Sequence, residues 1–112
     1  MSILSVDKLV KDWFKGDDEG LTMSEASDDT PELVWNAILE ILKHELTDDQ
    51  KSLLAAGPLE NLLAKHGSAF IERVEREAKV NAKLNDLLGG VWRQDMPDEI
   101  WRRIESVRRT AW

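Results

Sequence analysis

The chain contains no cysteine among its 112 residues. This excludes a disulfide framework and a metal site built from thiolates, and it suits a reducing cytosol. Long apolar runs are also missing, since the longest are a few residues, whereas a membrane-spanning helix needs about 20. The segment from Met1 to Phe14 carries acidic residues and lacks the apolar centre of a signal peptide. We therefore expect an unprocessed cytoplasmic protein that does not enter a membrane.

The motifs of catalytic sites are missing as well. The sequence shows no nucleophile motif, no cluster of metal-ligating residues and no glycine-rich phosphate loop. Its two histidines, His44 and His66, lie far apart, and neither has a carboxylate at the spacing of a ligand pair, which argues against a zinc site. We therefore predict no catalytic residue, no metal and no cofactor, and expect that the protein is not an enzyme.

The charged residues are distributed unevenly. Residues 1–60 carry 14 acidic and five basic side chains, whereas residues 61–112 carry eight acidic and ten basic ones. An acidic half repels nucleic acid and anionic lipid and attracts a basic protein. The alternative is that the net charge of −7 only keeps the protein soluble. Three C-terminal arginines follow an acid by four residues, which offsets their charge, so we predict no nucleic-acid partner.

Apolar residues recur at helical spacing. The segment Ser5–Lys15 has an apolar face at positions i, i+1, i+4 and i+5, and the segment after Pro31 has apolar spacings of three and four. No segment alternates with a period of two for long enough to be a strand. Short helices joined by turns of one to three residues favour stacking at steep angles, as in a unit of an α-solenoid. We predict an all-α fold over residues 1–112: one domain, an irregular superhelix-like array of about six or seven short helices.

Four signals predict where helices begin. Thr30-Pro31 combines a capping residue with a proline at the first helical position. The segment Thr47–Gln50 has the form of a capping box. Asn81 and Pro97 each precede a further apolar stripe, so we expect a helix to start at each of them.

Other signals predict where helices end. Gly57-Pro58 is expected to break one helix and open the next. Gly67 is expected to end that second helix, with His66 just before the end, where a cation interacts favourably with the helix dipole. The segment 17–29 carries six acids and little apolar content, so we expect an acidic loop.

The block of residues 30–92 carries a specific pattern. It consists of Pro31-Glu32 with Trp35, then AAGPLENLLAKHG (55–67), FIERVEREA (70–78) and LLGGVW (87–92). In this pattern the chain resembles an uncharacterised bacterial family that is known only as a domain of unknown function. Members usually have a proline in the turn before the sixth helix, where this chain has Val80-Asn81-Ala82. The resemblance implies a small helical bacterial protein and no known catalytic activity.

Four residues of this block are candidates for chemistry, namely Glu60, His66, Glu72 and Glu75. Glu60 and His66 are six residues apart, so they lie on different faces of one helix. Glu75 adjoins an apolar stripe, and a covered carboxylate with a raised pKa is able to act as an acid or base. We favour structural roles instead, with Glu60 and His66 capping the two ends of their helix. Glu75 would then pair with an arginine such as Arg73, Arg76 or Arg93.

The chain has five tryptophans, a high number for its length. Trp35 and Trp92 lie in the family-like block and are expected in the core, and Trp101 is expected at the edge of the last helix's apolar stripe. Trp13-Phe14 and Trp112 either close the two ends of the array or form an exposed aromatic patch for a partner. We favour closure.

We predict a small acidic protein-binding module. Its expected function is that of an immunity-type or antitoxin-type inhibitor that occludes a basic bacterial partner protein. The residues assigned to the contact are Asp17, Asp18, Glu19, Glu25, Asp28, Asp29, Trp13 and Phe14. The alternative is a scaffold domain that self-associates through Trp13, Phe14 and Trp112, and we expect a monomer or a weak homodimer.

Overall fold

The computed structural model describes residues 5–15, 29–93, 96–109 and 111. Its helices are α1 (Val6–Lys15), α2 (Pro31–Ile41), α3 (Asp48–Leu54), a π-helical turn (Ala55–Leu59), α4 (Glu60–Val80), α5 (Ala82–Leu88) and α6 (Asp98–Val107). Because α3, the π-helical turn and α4 follow one another without a break, the described residues form five continuous helical segments. They contain no strand, as the sequence predicts.

The helices surround one hydrophobic core. α1 packs against α2, and both α5 and α6 pack against the long helix α4. The radius of gyration is 13.0 Å, close to the value of about 13 Å expected for a compact domain of this length. The largest fully buried side chains are Leu9, Ile38, Ile41, Leu54, Leu59, Leu62, Leu63, Ile71, Leu84, Leu87 and Leu88. None of the helices described here is long and apolar enough to cross a membrane.

All four predicted helix starts are confirmed in position, and those at Thr47 and Asn81 also in their capping hydrogen bonds. α2 begins at Pro31, although the side chain of Thr30 makes no capping hydrogen bond. The side chain of Thr47 accepts a hydrogen bond from the backbone N–H of Gln50 at 3.1 Å, and the side chain of Gln50 accepts one from the backbone N–H of Thr47 at 2.9 Å. Asn81 accepts hydrogen bonds from the backbone N–H groups of Lys83 and Leu84. Pro97 directly precedes α6. Local capping chemistry is sufficient to fix these positions.

The predicted break at Gly57-Pro58 is confirmed in position, because one α-helix ends at Leu54 and the next begins at Glu60, but the chain stays helical between them. The chain passes through these residues as one π-helical turn, in which the backbone N–H of Glu60 donates to the carbonyl of Ala55, five residues earlier. A wider turn accommodates a proline ring and its missing N–H, which an α-helical interior does not. Pro58 is buried, so packing stabilises this local departure from the α-helix.

The predicted helix boundary at Gly67 is confirmed in part, because two helical stretches meet there at a kink, although no loop separates them. The helix α4 continues through this position to Val80, with a local kink at His66, whose backbone angles are φ −130° and ψ 25°. Gly67 lies against α6, because a Cβ built on it would stand 3.0 Å from Cγ2 of Ile100. Gly67 therefore provides space for a neighbouring helix. Because the π-helical turn and this kink join helices without an intervening loop, the described residues form five continuous helical segments, whereas the sequence predicts six or seven short helices.

Candidate functional site

Most of the acidic residues predicted to contact a partner lie outside the described part of the chain, namely Asp17, Asp18, Glu19, Glu25 and Asp28. Asp29 is described and exposed. Trp13 is 9 % exposed and belongs to the core, while Phe14 is 37 % exposed. The Phe14 ring stands edge-on to the rings of Trp13 and His44, with centroid distances of 5.0 Å to each. Trp112 also lies outside the described residues.

Glu75 is paired with an arginine, but not with one of those named from the sequence. Its carboxylate accepts hydrogen bonds from Nε of Arg103, at 3.0 Å, and from Nη2 of the same residue. Arg103 reaches it because α6 packs against α4, whereas Arg73 pairs with Glu32 of α2 at 2.6 Å. The hydrogen bonds and charge of Arg103 lower the pKa of Glu75. A lowered pKa disfavours the acid–base role that the sequence left open.

Glu60 does not cap the helix that it begins. Its side chain is 7 % exposed, and its Oε1 accepts a hydrogen bond of 2.8 Å from the backbone N–H of Trp92. Burial raises the pKa of Glu60, and the hydrogen bond from Trp92 acts in the opposite direction. The carboxylate therefore ties the first turn of α4 to the connection between α5 and α6.

The prediction that Trp92 lies in the core is wrong, since Trp92 is 70 % exposed. Trp35 is in the core, as predicted, with its ring 6.3 Å from that of Phe70. The difference comes from the backbone, because α5 ends in successive turn hydrogen bonds and Val91, buried at 3 %, takes the inward position. Glu60 then holds the N–H of Trp92. The indole is thus on the surface while the backbone that carries it is fixed.

Trp92 stands at the edge of a groove with a volume of about 430 Å³, which we call the Trp92 groove. Three parts of the chain meet there: the α3–π-turn segment, the α5–α6 connection, and α6 with the residues that follow it. The groove is lined by Ser52, Ala56, Gly89, Gly90, Val91, Trp92, Arg93, Trp101, Arg108 and Ala111. It combines two indoles with two guanidinium groups.

The two arginines of the groove are held differently. The guanidinium of Arg108 lies over the Trp101 ring, 5.0 Å from its centroid, and Nη1 makes a long hydrogen bond of 3.5 Å to the carbonyl of Leu88. Arg93 forms an ion pair with Asp98, and its Nε donates to the carbonyl of Met96 at 3.4 Å. Asp98 offsets one of the two positive charges, so the groove keeps a positive character.

The described residues do not form a metal centre. No group of three or more His, Cys, Asp or Glu side chains among them is arranged to hold a metal ion. The remaining chemistry of the site is that of recognition, because indoles and guanidiniums bind by stacking, apolar contact and charge-assisted hydrogen bonds.

The sequence interpretation missed the Trp92 groove. Its residues come from three separate stretches of the chain between Ser52 and Ala111, so no local spacing relates them. One signal was present: Gly89-Gly90 ends a helix just before Trp92, which places this tryptophan in a connection where no apolar periodicity argues for burial.

The comparisons with known proteins give one match. A family model described as "Family of unknown function (DUF6869)" matches residues 8–112 of the chain. The match includes the block 30–92 on which the resemblance was based. No curated protein and no solved structure matched the chain.

Proposed function

The chain belongs to the family of unknown function DUF6869, and from its own residues we propose that it is a protein-binding module. In this proposal it occludes a basic partner protein, in the manner of an immunity protein or an antitoxin, and works in the cytoplasm. The observation that carries the proposal is the exposed indole of Trp92 on a fixed backbone.

An exposed tryptophan of this kind is suited to anchor a partner. Tryptophan and arginine are enriched among the residues that dominate binding energy at interfaces, and both line the Trp92 groove. Because Glu60 already fixes the backbone of Trp92, binding has to restrict the side-chain rotamers of the indole but not the backbone that carries it. The anchor is therefore preorganised.

The charge distribution supports a basic partner. Residues 1–60 hold 14 of the 22 acidic side chains. Among the described residues, Glu40, Glu45, Asp48 and Asp49 are exposed at or near the connection between α2 and α3, and Lys43 pairs only with Glu40 of this group. An acidic surface accelerates the approach of a basic protein over a range set by ionic strength.

The test is co-purification of the protein with the product of the adjacent gene. We expect a stoichiometric complex that blocks the partner's activity, with an association rate that falls as salt is added. Trp92→Ala should weaken the complex about 30-fold, the equivalent of a hot-spot loss of about 2 kcal/mol. The matched control is Val80→Ala, because Val80 is 84 % exposed and does not line the groove. A complex that Trp92→Ala and Val80→Ala affect equally would contradict the proposal, as would the absence of any complex.

Self-association is the second candidate function, and the same exposed indole favours it. Trp13 is buried, so among the described aromatic residues a homodimer would use Trp92 or Phe14 instead. Light scattering over a range of concentrations separates the two functions. A monomer at high concentration argues against the scaffold role, whereas a dimer that Trp92→Ala dissociates argues for it. That the protein is not an enzyme, and that its helices stack in a superhelix-like order, stay predictions.

A further inference from the structure

We propose that the Trp92 groove binds a short acidic peptide segment of the partner, with an apolar side chain against Trp92 and a carboxylate on Arg108. This inference rests on the proposed function, since it names the part of the partner that the groove receives. A protein that is basic overall can present one such segment. The net charge would then guide the encounter, and the groove would define the contact.

The size of the groove fits part of a peptide. Pockets that bind small molecules span about 300–1,000 Å³, and this groove has about 430 Å³. That space suits one or two side chains and their backbone. The lining includes Gly89 and Gly90, which have no side chain, and the buried Val91 beside them, so this stretch offers an apolar side chain no polar side chain.

Arg108 supplies the group that recognises a carboxylate. Its contact with the Leu88 carbonyl involves one nitrogen, Nη1, and a guanidinium has five N–H donors in a planar fork that matches the two oxygens of a carboxylate. The contact of the guanidinium with the Trp101 ring, 5.0 Å from its centroid, restrains the position of the fork. Asp98 forms its ion pair with Arg93, the other arginine of the groove. The positive charge of Arg108 is therefore the one that an incoming carboxylate meets.

A peptide fits the surroundings better than a nucleic acid does. Indoles and arginines also stack on bases and bind phosphates, but a nucleic acid carries a negative charge on every residue. The protein has a net charge of −7, so a polyanion is repelled over its whole length. A peptide needs to present only one carboxylate.

The experiment follows the indole N–H signals of the isotope-labelled full chain by NMR. The probe is the peptide acetyl-Leu-Asp-Leu amide, and the matched probe has Asn in place of Asp. We expect the Trp92 and Trp101 signals, identified with Trp92→Phe and Trp101→Phe, to shift and to saturate in the millimolar range. The buried Trp35 is the internal reference and should not shift. The Asn peptide should bind about tenfold more weakly, because it lacks the charge-assisted hydrogen bonds to Arg108.

Two variants test whether Arg108 causes the preference for the Asp peptide over the Asn peptide. Arg108→Gln should abolish the preference for Asp over Asn, whereas Arg76→Gln, at an exposed position of α4, should keep it. Equal binding of the two peptides, no shift at all, or a preference that survives Arg108→Gln would overturn the proposal. A stronger response to a short oligo-deoxythymidine than to the Asp peptide would also overturn it and assign the groove to nucleic acid.

These outcomes are separable from those of the proposed function. If the partner complex depends on Trp92 but the Asp and Asn peptides bind alike, the inference fails and the function stands. If the Asp peptide binds as expected but the neighbouring gene product does not, the inhibitor function fails and the peptide site stands.

Discussion

Glu60 and Trp92 are 32 residues apart and are joined by a hydrogen bond of 2.8 Å between the Glu60 carboxylate and the Trp92 backbone N–H. The carboxylate is buried, whereas the indole of its partner is 70 % exposed. A buried acid is costly unless it is hydrogen-bonded, so this pair makes the position of the α5–α6 connection depend on Glu60. The stability of α4 and the presentation of Trp92 are therefore linked.

Two substitutions at Glu60 separate its roles as an acceptor and as a charge. Glu60→Gln keeps an oxygen that accepts from Trp92, so we expect unfolding free energy near or above that of the wild type at about neutral pH. Glu60→Ala removes the acceptor and leaves a partly buried N–H unpaired, which costs about 1–3 kcal/mol. Chemical denaturation measures both. Equal losses for Gln and Ala would mean that the hydrogen bond does not stabilise the fold.

The buried carboxyl group of Glu60 also leads to a prediction of how the stability of the protein depends on pH. Burial raises the pKa of Glu60 above its ordinary value of 4.5, so the folded state binds this proton more tightly than the unfolded state does. The stability contributed by protonation of Glu60 is therefore fully present below the ordinary pKa, and it is lost as pH rises through the raised pKa. The stability advantage of Glu60→Gln over the wild type should shrink as pH is lowered toward about 4. An advantage that grows on acidification would contradict this assignment.

The Glu75–Arg103 pair should show the opposite pH dependence. Arg103 lowers the pKa of Glu75 by hydrogen bonds and charge, so the stabilisation is present above the ordinary pKa of 4.5 and is lost as pH falls through the lowered one. Glu75→Gln should therefore destabilise the protein slightly at about neutral pH and not at all in strong acid. Both side chains are partly exposed, at 24 % and 34 %, so salt should reduce the effect.

A double-mutant cycle with Glu75→Gln and Arg103→Gln isolates this interaction from other effects of the two substitutions. The coupling energy should be favourable at about neutral pH and should fall with acid and with added salt. The control pair is Glu40 and Lys43, which are more exposed and three residues apart on one helix end. Coupling no stronger at Glu75–Arg103 than at this control would mean that the pair does not hold α6 against α4.

The sequence predicts the parts of the fold that depend on neighbouring residues. The capping box at Thr47 and the cap at Asn81 were recognisable because each cap bonds to a backbone group two or three residues away. The all-α class follows in the same way from apolar spacing. These signals lie within a few residues of one another, so they can be recognised without knowing which distant residues are in contact.

The features that the sequence did not predict depend on distant residues. The sequence around Gly67 predicts a helix end, but it does not show that Gly67 provides space for Ile100. Glu60 resembles a cap for its own helix until Trp92 is brought to its oxygen. The exposure of Trp92 follows from the burial of Val91 beside it. In each case tertiary contacts decided between two local possibilities, and the candidate site was built entirely from such contacts.

Asn85 is the second buried polar residue of the described core for which we expect a sensitive response to substitution. It is 4 % exposed, and its amide nitrogen donates to the carbonyls of Ala78 and Val107 while its oxygen accepts from the backbone N–H of Arg109. Asn85→Ala leaves these groups unpaired, so we expect a loss of about 1–3 kcal/mol in the free energy of unfolding. Urea denaturation measures it.

The control at this position is Asn85→Asp, which keeps the shape and the acceptor but removes both N–H donors. It places a carboxylate against two carbonyl oxygens, so we expect a larger loss at about neutral pH than for Asn85→Ala, with partial recovery in acid as the carboxyl group is protonated. If Asn85→Asp were as stable as the wild type, the two donated hydrogen bonds would not stabilise the fold.

Gly67 and Gly57 form a matched pair for the last prediction. A Cβ on Gly67 would stand 3.0 Å from Cγ2 and 3.2 Å from Cγ1 of Ile100, whereas a Cβ on Gly57 meets nothing within 4 Å. Ile100 is buried at 5 %, so its side chain has little room to move. Gly67→Ala should therefore destabilise the protein by about 1–3 kcal/mol through overpacking. Gly57→Ala should be neutral or stabilising by up to about 1 kcal/mol, because alanine restricts the unfolded chain.

The cause of the Gly67 effect can be tested by removing the neighbour. In an Ile100→Ala background, which is itself destabilised, the clash is absent and the higher helix propensity of alanine remains. Gly67→Ala should then become neutral or stabilising in the free energy of unfolding measured by denaturant. If the substitution costs as much in that background as in the wild type, the requirement for glycine comes from the backbone at the His66 kink, and the contact with α6 is not its cause.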